Sequence, residues 1–325
     1  MEKKYKVFVT EPLPEVEVGL ELLKDVAEMV CLKEFAGRVL AENIREVDAI
    51  VLGDSKISKE SLEGVRRLKV IGRFGVGVDN VDLNACTEGG IIVFNAPGLN
   101  AESVAEHVIG MMVATSKKFL LHDRLVRDGK WSEKIQYMGT ELWKKNIGII
   151  GLGNIGYLVA KMVKAFDMKV LAWDPYISEK RAKEVDAQLV DLKTLLKESD
   201  FVSISCPLTD ETRGMINEDE FKLMKNSAIL INTARGGIIK EYALYKALKE
   251  RWIAGAGVDV FETEPVVEKN PLFELDNILL TPHMASWTTE AFRRVAIFVC
   301  ENILRVFDGR LPANIVNKEV LRKLR

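Results

Sequence analysis

A chain of 325 residues is longer than one hydrophobic core comfortably fills, since single cores stop growing near ~250–300 residues, so two domains are expected. Its 48% apolar content supplies full cores, and a net charge of −2 leaves no basic excess for nucleic acid or an acidic membrane surface. The four cysteines, Cys31, Cys86, Cys206 and Cys300, are scattered without a CxxC pair, which argues against a zinc site or redox dithiol and for reduced thiols in a cytoplasm.

The opening segment, MEKKYKVFVTEPLP, has no apolar run long enough for a signal peptide or a membrane span, so a cytoplasmic location is expected. Apolar runs at 6–10, 28–32, 49–53, 69–73 and 91–95 predict strands, and apolar periodicity at 15–23 and 58–65 predicts helices between them. Such alternation calls for a parallel, doubly wound sheet. A long helix is expected over 101–127, with Ser103, Glu106 and His107 on its polar side and Val104, Val108, Met111, Met112 and Leu120 on its apolar side. His107 and His122, both on this helix, are read as structural. A second α/β series follows, with strands at 147–150, 169–173, 201–205, 228–232, 254–260 and 278–281. A helix at 288–308 and a short basic tail at 318–325 complete the chain. Charged residues make up 29%, and glutamine occurs only at Gln136 and Gln188, a composition expected of a thermophile.

The run Asn146-Ile-Gly-Ile-Ile-Gly-Leu-Gly-Asn-Ile-Gly156 reads as strand, glycine turn and helix, the helix being expected at 157–166. Gly151 allows the tight turn, Gly153 lets backbone amides approach a pyrophosphate, and Gly156 lets helix and strand pack closely. The helix directs its positive end at that anion. The next strand ends in Asp174, 18 residues beyond Gly156, the position for a carboxylate that accepts from adenosine ribose hydroxyls. A carboxylate there repels a 2′-phosphate, and no arginine follows until Arg181, so NAD is expected rather than NADP. The bland alternative is a βαβ unit with no ligand.

Three further groups each stand just past a strand: Arg235, before Gly236-Gly237; Glu264, in Glu262-Thr-Glu-Pro265; and His283, after Thr281-Pro282. Strand ends of an open parallel sheet are where ligands bind, so the three are candidates for one cleft. Histidine suits proton transfer at a carbonyl oxygen near neutral pH. A neighbouring carboxylate would orient the ring and favour its protonated form, and arginine would hold a substrate carboxylate. Taken singly, Arg235 could serve a surface turn, Glu264 could be merely solvated, and a lone histidine is more often structural.

Taken in order, Gly151-Leu-Gly-Asn-Ile-Gly156 with Asp174, Thr233-Ala-Arg-Gly-Gly237, Gly257-Val-Asp-Val-Phe-Glu-Thr-Glu-Pro265 and Thr281-Pro-His283 resemble the D-isomer-specific 2-hydroxyacid dehydrogenases over nearly the whole chain. The resemblance implies two doubly wound parallel-sheet α/β domains, with a Rossmann-type NAD domain (101–289) inserted into a flavodoxin-like substrate domain (1–100 and 290–325). It implies Arg235, Glu264 and His283 as the catalytic set. The glycine turn with Asn154 and Ile155, together with Asp174, would hold NAD, aided by Cys206, Pro207, Thr212, Thr233, Ala234, Asp259 and Ala285. A homodimer paired through the cofactor domain is further implied, as is a small 2-oxo or 2-hydroxy acid as the partner.

On the substrate side, Arg73-Phe-Gly-Val-Gly-Val-Asp-Asn-Val-Asp82 resembles a loop whose amides bind the substrate carboxylate, with Gly75, Val76 and Gly77 in it. Asn95-Ala-Pro-Gly-Leu-Asn100 resembles the adjoining loop, which brings in Asn100. Lys130-Trp131 and Tyr137-Met-Gly-Thr-Glu-Leu142 look most like the catalytic core of 3-phosphoglycerate dehydrogenases, where an arginine at the position of Arg73 helps bind the substrate phosphate. The alternative for Arg73 is a structural ion pair. The acid most expected is therefore 3-phosphoglycerate with 3-phosphohydroxypyruvate; Val76 departs from the threonine common in that group, and Trp287 could wall off a pocket for a smaller acid, so glyoxylate or hydroxypyruvate reduction is the alternative. The C-terminal-binding corepressors, which share the fold and sense the dinucleotide without turnover, form a reading of another class.

Overall fold

A computed structural model describes residues 4–34, 37–266 and 269–323. The last two residues of the basic tail lie outside the described residues. The chain divides into two compact units, Met1–Asn100 with Trp287–Arg325, and Ala101–Ser286.

The first unit runs β1 (Tyr5–Val9), α1 (Val16–Leu20), β2 (Ala27–Cys31), α2 (Ala41–Ile44), β3 (Ala49–Leu52), β4 (Val70–Arg73), α3 (Leu83–Glu88) and β5 (Ile92–Phe94), and takes in a C-terminal helix, Thr289–Phe307. Its strands pair in parallel in the order β2-β1-β3-β4-β5, the flavodoxin-like order. Strand β3 is buried along its whole length, as Ala-Ile-Val-Leu with no polar face requires of a strand covered on both sides. One face packs Val7, Val51, Val70 and Phe94 against Val295, Val299 and Ile303 of the C-terminal helix. Helix α1 meets that helix at Gly19, where a Cβ would lie 2.2 Å from the carbonyl oxygen of Ala296.

The second unit runs α4 (Ala101–Ser116), α5 (Phe119–Arg127), β6 (Asn146–Ile150), α6 (Asn154–Met162), β7 (Lys169–Trp173), α7 (Glu179–Glu184), β8 (Ala187–Leu189), α8 (Leu192–Glu198), β9 (Phe201–Ile204), α9 (Glu218–Leu223), β10 (Ile229–Asn232), α10 (Glu241–Lys249), β11 (Gly255–Val258) and β12 (Ile278–Leu280). All pairs are parallel, in the order β12-β11-β10-β9-β6-β7-β8. The strand order reverses between β6 and β9, which opens a crevice at the carboxyl end of β6. No helix among the described residues is long and apolar enough to cross a membrane.

Several expectations need correction. The helix expected over 101–127 breaks in two. Lys118 takes a left-handed conformation (φ 54), and the Thr140 amide claims the carbonyl of Ser116, so a tertiary contact ends α4 where the apolar pattern would carry on. The helix expected over 58–65 shrinks to one 3₁₀ turn, Glu60–Leu62, with Gly64 at φ 72 beyond it. Helix α6 begins at Asn154 rather than at 157, which places Gly156 in its first turn. Strand β8 escaped prediction because Ala-Gln-Leu is a short, mostly exposed edge strand with no apolar run.

Crowding at Gly19 makes a test. Gly19→Ala should cost about 1–3 kcal/mol through forced displacement of the C-terminal helix, lowering the thermal unfolding midpoint. Gly110→Ala, in α4 with nothing within 4 Å of the added carbon, should leave the midpoint unchanged or raise it.

Candidate active site

In the second unit the candidate groups all lie just beyond carboxyl ends of strands. After β6, Gly151 has φ 93, and a Cβ on it would stand 2.7 Å from the Cys206 backbone nitrogen. At Gly156 a Cβ would stand 2.1 Å from the Gly151 carbonyl oxygen, whereas at Gly153 it would meet nothing within 4 Å. The turn is thus tight underneath and open above Gly153, where α6 points its first amides, the arrangement an incoming pyrophosphate requires. Asn154 and Ile155 open that helix.

Asp174 follows β7. Its Oδ2 accepts from the Leu152 amide at 2.8 Å and its Oδ1 from the Tyr176 amide at 2.9 Å, so the carboxylate is braced against the turn with lone pairs left for ribose hydroxyls. These features fit a dinucleotide such as NAD. Arg181 is closer to the turn than its place in the sequence suggests. Its guanidinium reaches the carbonyls of Leu152 and Gly153 at 3.3 Å and stacks on Tyr157. After β9 come Cys206, whose thiol burial pushes up to about 11, and Pro207, whose carbonyl accepts from the Thr212 hydroxyl at 2.7 Å.

Past β10, the buried Asn232 shapes the next turn. Its side chain accepts from the Ala234 amide and donates to the Arg235 carbonyl, which sets Thr233, Ala234 and Arg235 in a fixed order. Asn232 was not foreseen, although a polar residue ending an Ile-Leu-Ile run is a signal that could have found it. A Cβ on Gly236 would lie 1.9 Å from the Phe261 carbonyl carbon, so the Arg235 turn abuts the loop after β11. In that loop Glu264 accepts from the Phe261 amide through Oε1 at 2.9 Å. Its Oε2 accepts from His283 Nδ1 at 2.7 Å.

His283 itself has φ 51, a left-handed conformation that costs a non-glycine residue ~1–2 kcal/mol. Asp259, fully buried, holds the turn: its carbonyl accepts from the His283 amide, Oδ1 from the Met284 amide and Oδ2 from the Ala285 amide. The imidazole is 46% exposed and Glu264 34%. The hydrogen bond that His283 donates to Glu264 lifts the His283 pKa above the ordinary histidine value, against the opposing effect of burial and the Arg235 charge. Burial pushes Glu264 up, but the His283 hydrogen bond, the Phe261 amide and the nearby positive charges outweigh it and hold the carboxyl below its ordinary range. With Nδ1 bound to Glu264, Nε2 is the nitrogen free to exchange a proton with a ligand.

The remaining candidates lie in the first unit. Arg73 is 13% exposed and heavily committed, donating to the carbonyls of Gly77, Phe74 and Leu52 and pairing with Asp54 at 2.7 Å. The buried Glu11 in turn accepts from the Asp54 and Ser55 amides and the Ser55 hydroxyl. Asn95 bonds the Val76 carbonyl, and the Ala96 amide bonds that of Gly75, which anchors the glycine loop. Asn100 has a buried Oδ1 without a hydrogen-bond partner. Trp287 packs edge-on against Phe292, which stacks on Phe74, so an aromatic row unforeseen from sequence links Trp287 to that loop.

Residues 109–285 match the family described as D-isomer specific 2-hydroxyacid dehydrogenase, NAD binding domain. The chain is 43% identical over 313 residues to a D-3-phosphoglycerate dehydrogenase of Archaeoglobus fulgidus, covering 96% of itself and 59% of that relative's length. It is 42% identical to a glyoxylate reductase of Thermococcus litoralis, with 98% of each chain covered. Among solved structures, the D-lactate dehydrogenase from Aquifex aeolicus complexed with NAD and lactic acid matches with a TM-score of 0.86 at 32% identity, covering 96% of this chain and 99% of that one.

The chain belongs to the D-isomer specific 2-hydroxyacid dehydrogenase family. As a member it is an NAD-dependent oxidoreductase, and its two parallel-sheet α/β units are those of such dehydrogenases. Reduction of a carbonyl takes a proton at its oxygen, so if His283 is the donor the reductive rate should hold at low pH and fall as pH rises through its raised pKa. Oxidation of the hydroxy acid should rise through the same range. Glu264→Gln keeps an acceptor oxygen but removes the negative charge that helps to raise this pKa. The reductive limb should therefore move to lower pH, read from kcat/KM between pH 5 and 9. An unmoved limb would remove Glu264 from this role.

Proposed function

We propose that the protein interconverts a short, unphosphorylated 2-oxo acid, glyoxylate or hydroxypyruvate, and the corresponding 2-hydroxy acid, glycolate or D-glycerate. The bound nicotinamide supplies a hydride donor when reduced and an acceptor when oxidised. Asp174 and the turn at Gly151, Gly153 and Gly156 hold the dinucleotide, with Cys206, Pro207, Thr212, Thr233, Ala234 and Ala285 around it. Arg235 binds the substrate carboxylate and polarises the carbonyl. His283 passes a proton from Nε2 to the carbonyl oxygen in reduction and takes it back in oxidation, while Glu264 keeps Nδ1–H oriented. The amides of Val76, Gly77 and Val78 donate to no other protein group among the described residues, which suits them to an anion.

The engagement of Arg73 carries the choice of acid. Its guanidinium already serves three carbonyls and the Asp54 carboxylate, whose negative charge would repel a substrate phosphate. This reverses the order favoured by the sequence. The Trp287, Phe292 and Phe74 row beside the loop likewise suits a small acid. Assayed with NADH, glyoxylate or hydroxypyruvate should exceed 3-phosphohydroxypyruvate in kcat/KM by about 10-fold or more. Arg73→Ala should weaken all three alike; a loss confined to the phosphorylated acid would restore the phosphate-binding role. NADH binding without turnover of any acid would favour the dinucleotide-sensing scaffold.

A homodimer is part of the proposal. Phe119, Leu120 and Val126 on α5, and Trp131, Ile135 and Met138 just after it, are all more than half exposed, a run of large apolar side chains that a partner copy would cover. Ile135→Asp with Met138→Asp should convert a dimer to a monomer in light scattering; an unchanged mass would place the interface elsewhere.

A further inference from the structure

Behind the His283 turn lies a chain of polar contacts that the proposed mechanism does not use. All of it belongs to the second unit. His107, on α4, places Nε2 3.2 Å from the Thr281 hydroxyl and 3.8 Å from Asp259 Oδ1. The Thr281 hydroxyl stands 2.5 Å from Asp259 Oδ1. A hydroxyl has one hydrogen, and the carboxylate has none to give, so Thr281 donates to Asp259 and accepts from His107. That fixes the His107 tautomer, with its hydrogen on Nε2. Asp259, at zero exposure, needs this set of donors, since a buried carboxylate without them is costly.

The relay ends at the catalytic turn. The His283 amide donates to the carbonyls of both Asp259, at 2.8 Å, and Thr281, at 3.1 Å. The two carboxylate oxygens of Asp259 take the amides of Met284 and Ala285 immediately beyond. A shift of the Thr281 side chain therefore moves both groups that hold the His283 backbone. The charged groups that act on the imidazole are Glu264, Arg235 and Asp259.

We propose that His107 is a positioning residue for the reaction: it donates from Nε2 to Thr281, and Thr281 fixes the Asp259 carboxylate that pins the His283 turn. This rests on His283 as the acid/base. Without Thr281, Asp259 loses its hydroxyl donor; without His107, that hydroxyl is no longer held toward Asp259; in either case the turn loses its fixed geometry. Its charge is then less neutralised and acts more strongly on His283. A displacement of this kind costs a reaction about 10- to 100-fold without contact with the substrate.

The test compares His107→Phe and Thr281→Val with the conservative His107→Gln and Thr281→Ser. The breaking pair should lower kcat about 10-fold or more, leave KM for NADH and the thermal midpoint near the parent values, and move the reductive pH limb upward. The double breaking variant should lose no more than either single one, as members of one chain do. Gln and Ser, which keep a donor in place, should restore the rate and the limb. Additive losses, an unmoved limb, or a rate that merely follows the thermal midpoint would each overturn the proposal. His283→Ala serves as the separate control. If it turns over normally, the acid/base reading itself fails; if it is inactive while His107→Phe behaves as the parent does, only the relay fails.

Discussion

A parallel sheet buried on both faces penalises polar side chains along its strands, because each lies in an apolar layer with few partners, and Ser203 in β9 is an exception. That constraint arranges everything else in this protein. Strands β6, β9 and β10 are buried apart from the half-buried Asn146 at the start of β6, and the groups with chemistry to offer begin where the strands stop: Gly151, Asp174, Arg235, Glu264 and His283. The sheet acts as a template that brings loops distant in sequence to one edge. Within that edge, backbone amides and carbonyls do most of the fixing. Asp174 is braced by Leu152, Glu264 by Phe261, and the His283 turn by Asp259.

This explains what the chain reveals when read in one dimension. The glycine turn, Asp174, Arg235 and His283 were legible because each follows an apolar run, and a strand end is a position that sequence marks. The pairing of Glu264 with His283 was legible through the family resemblance. The break at Lys118 was not, because it depends on Thr140 claiming a carbonyl from a separate segment. Nor could sequence separation report that Arg181 folds back to the glycine turn, or that Arg73 is engaged by Asp54 and three carbonyls. Such facts belong to distance in space, for which an apolar pattern carries no code.

Arg73 illustrates how the same residue type can serve opposite ends. A guanidinium with five donors is a good phosphate ligand and an equally good loop strut. What separates the roles is the company it keeps. Here the buried Glu11 orders the loop that carries Asp54, Asp54 holds Arg73, and Arg73 holds the carbonyls of Phe74 and Gly77. The glycine loop is thereby shaped from behind by charge and kept open in front, where its amides remain available.

The close approach of Gly19 to Ala296 means that the first unit is closed by the two ends of the chain. During synthesis the five strands of that unit emerge early, but Val295, Val299 and Ile303, which cover one face of their sheet, emerge only after the whole second unit has been made. The second unit can therefore complete its core on the ribosome while the first still exposes an apolar face. For a time the nascent protein is a finished cofactor domain attached to an open, sticky sheet, and that interval, rather than the mature fold, is when chaperones have most to protect.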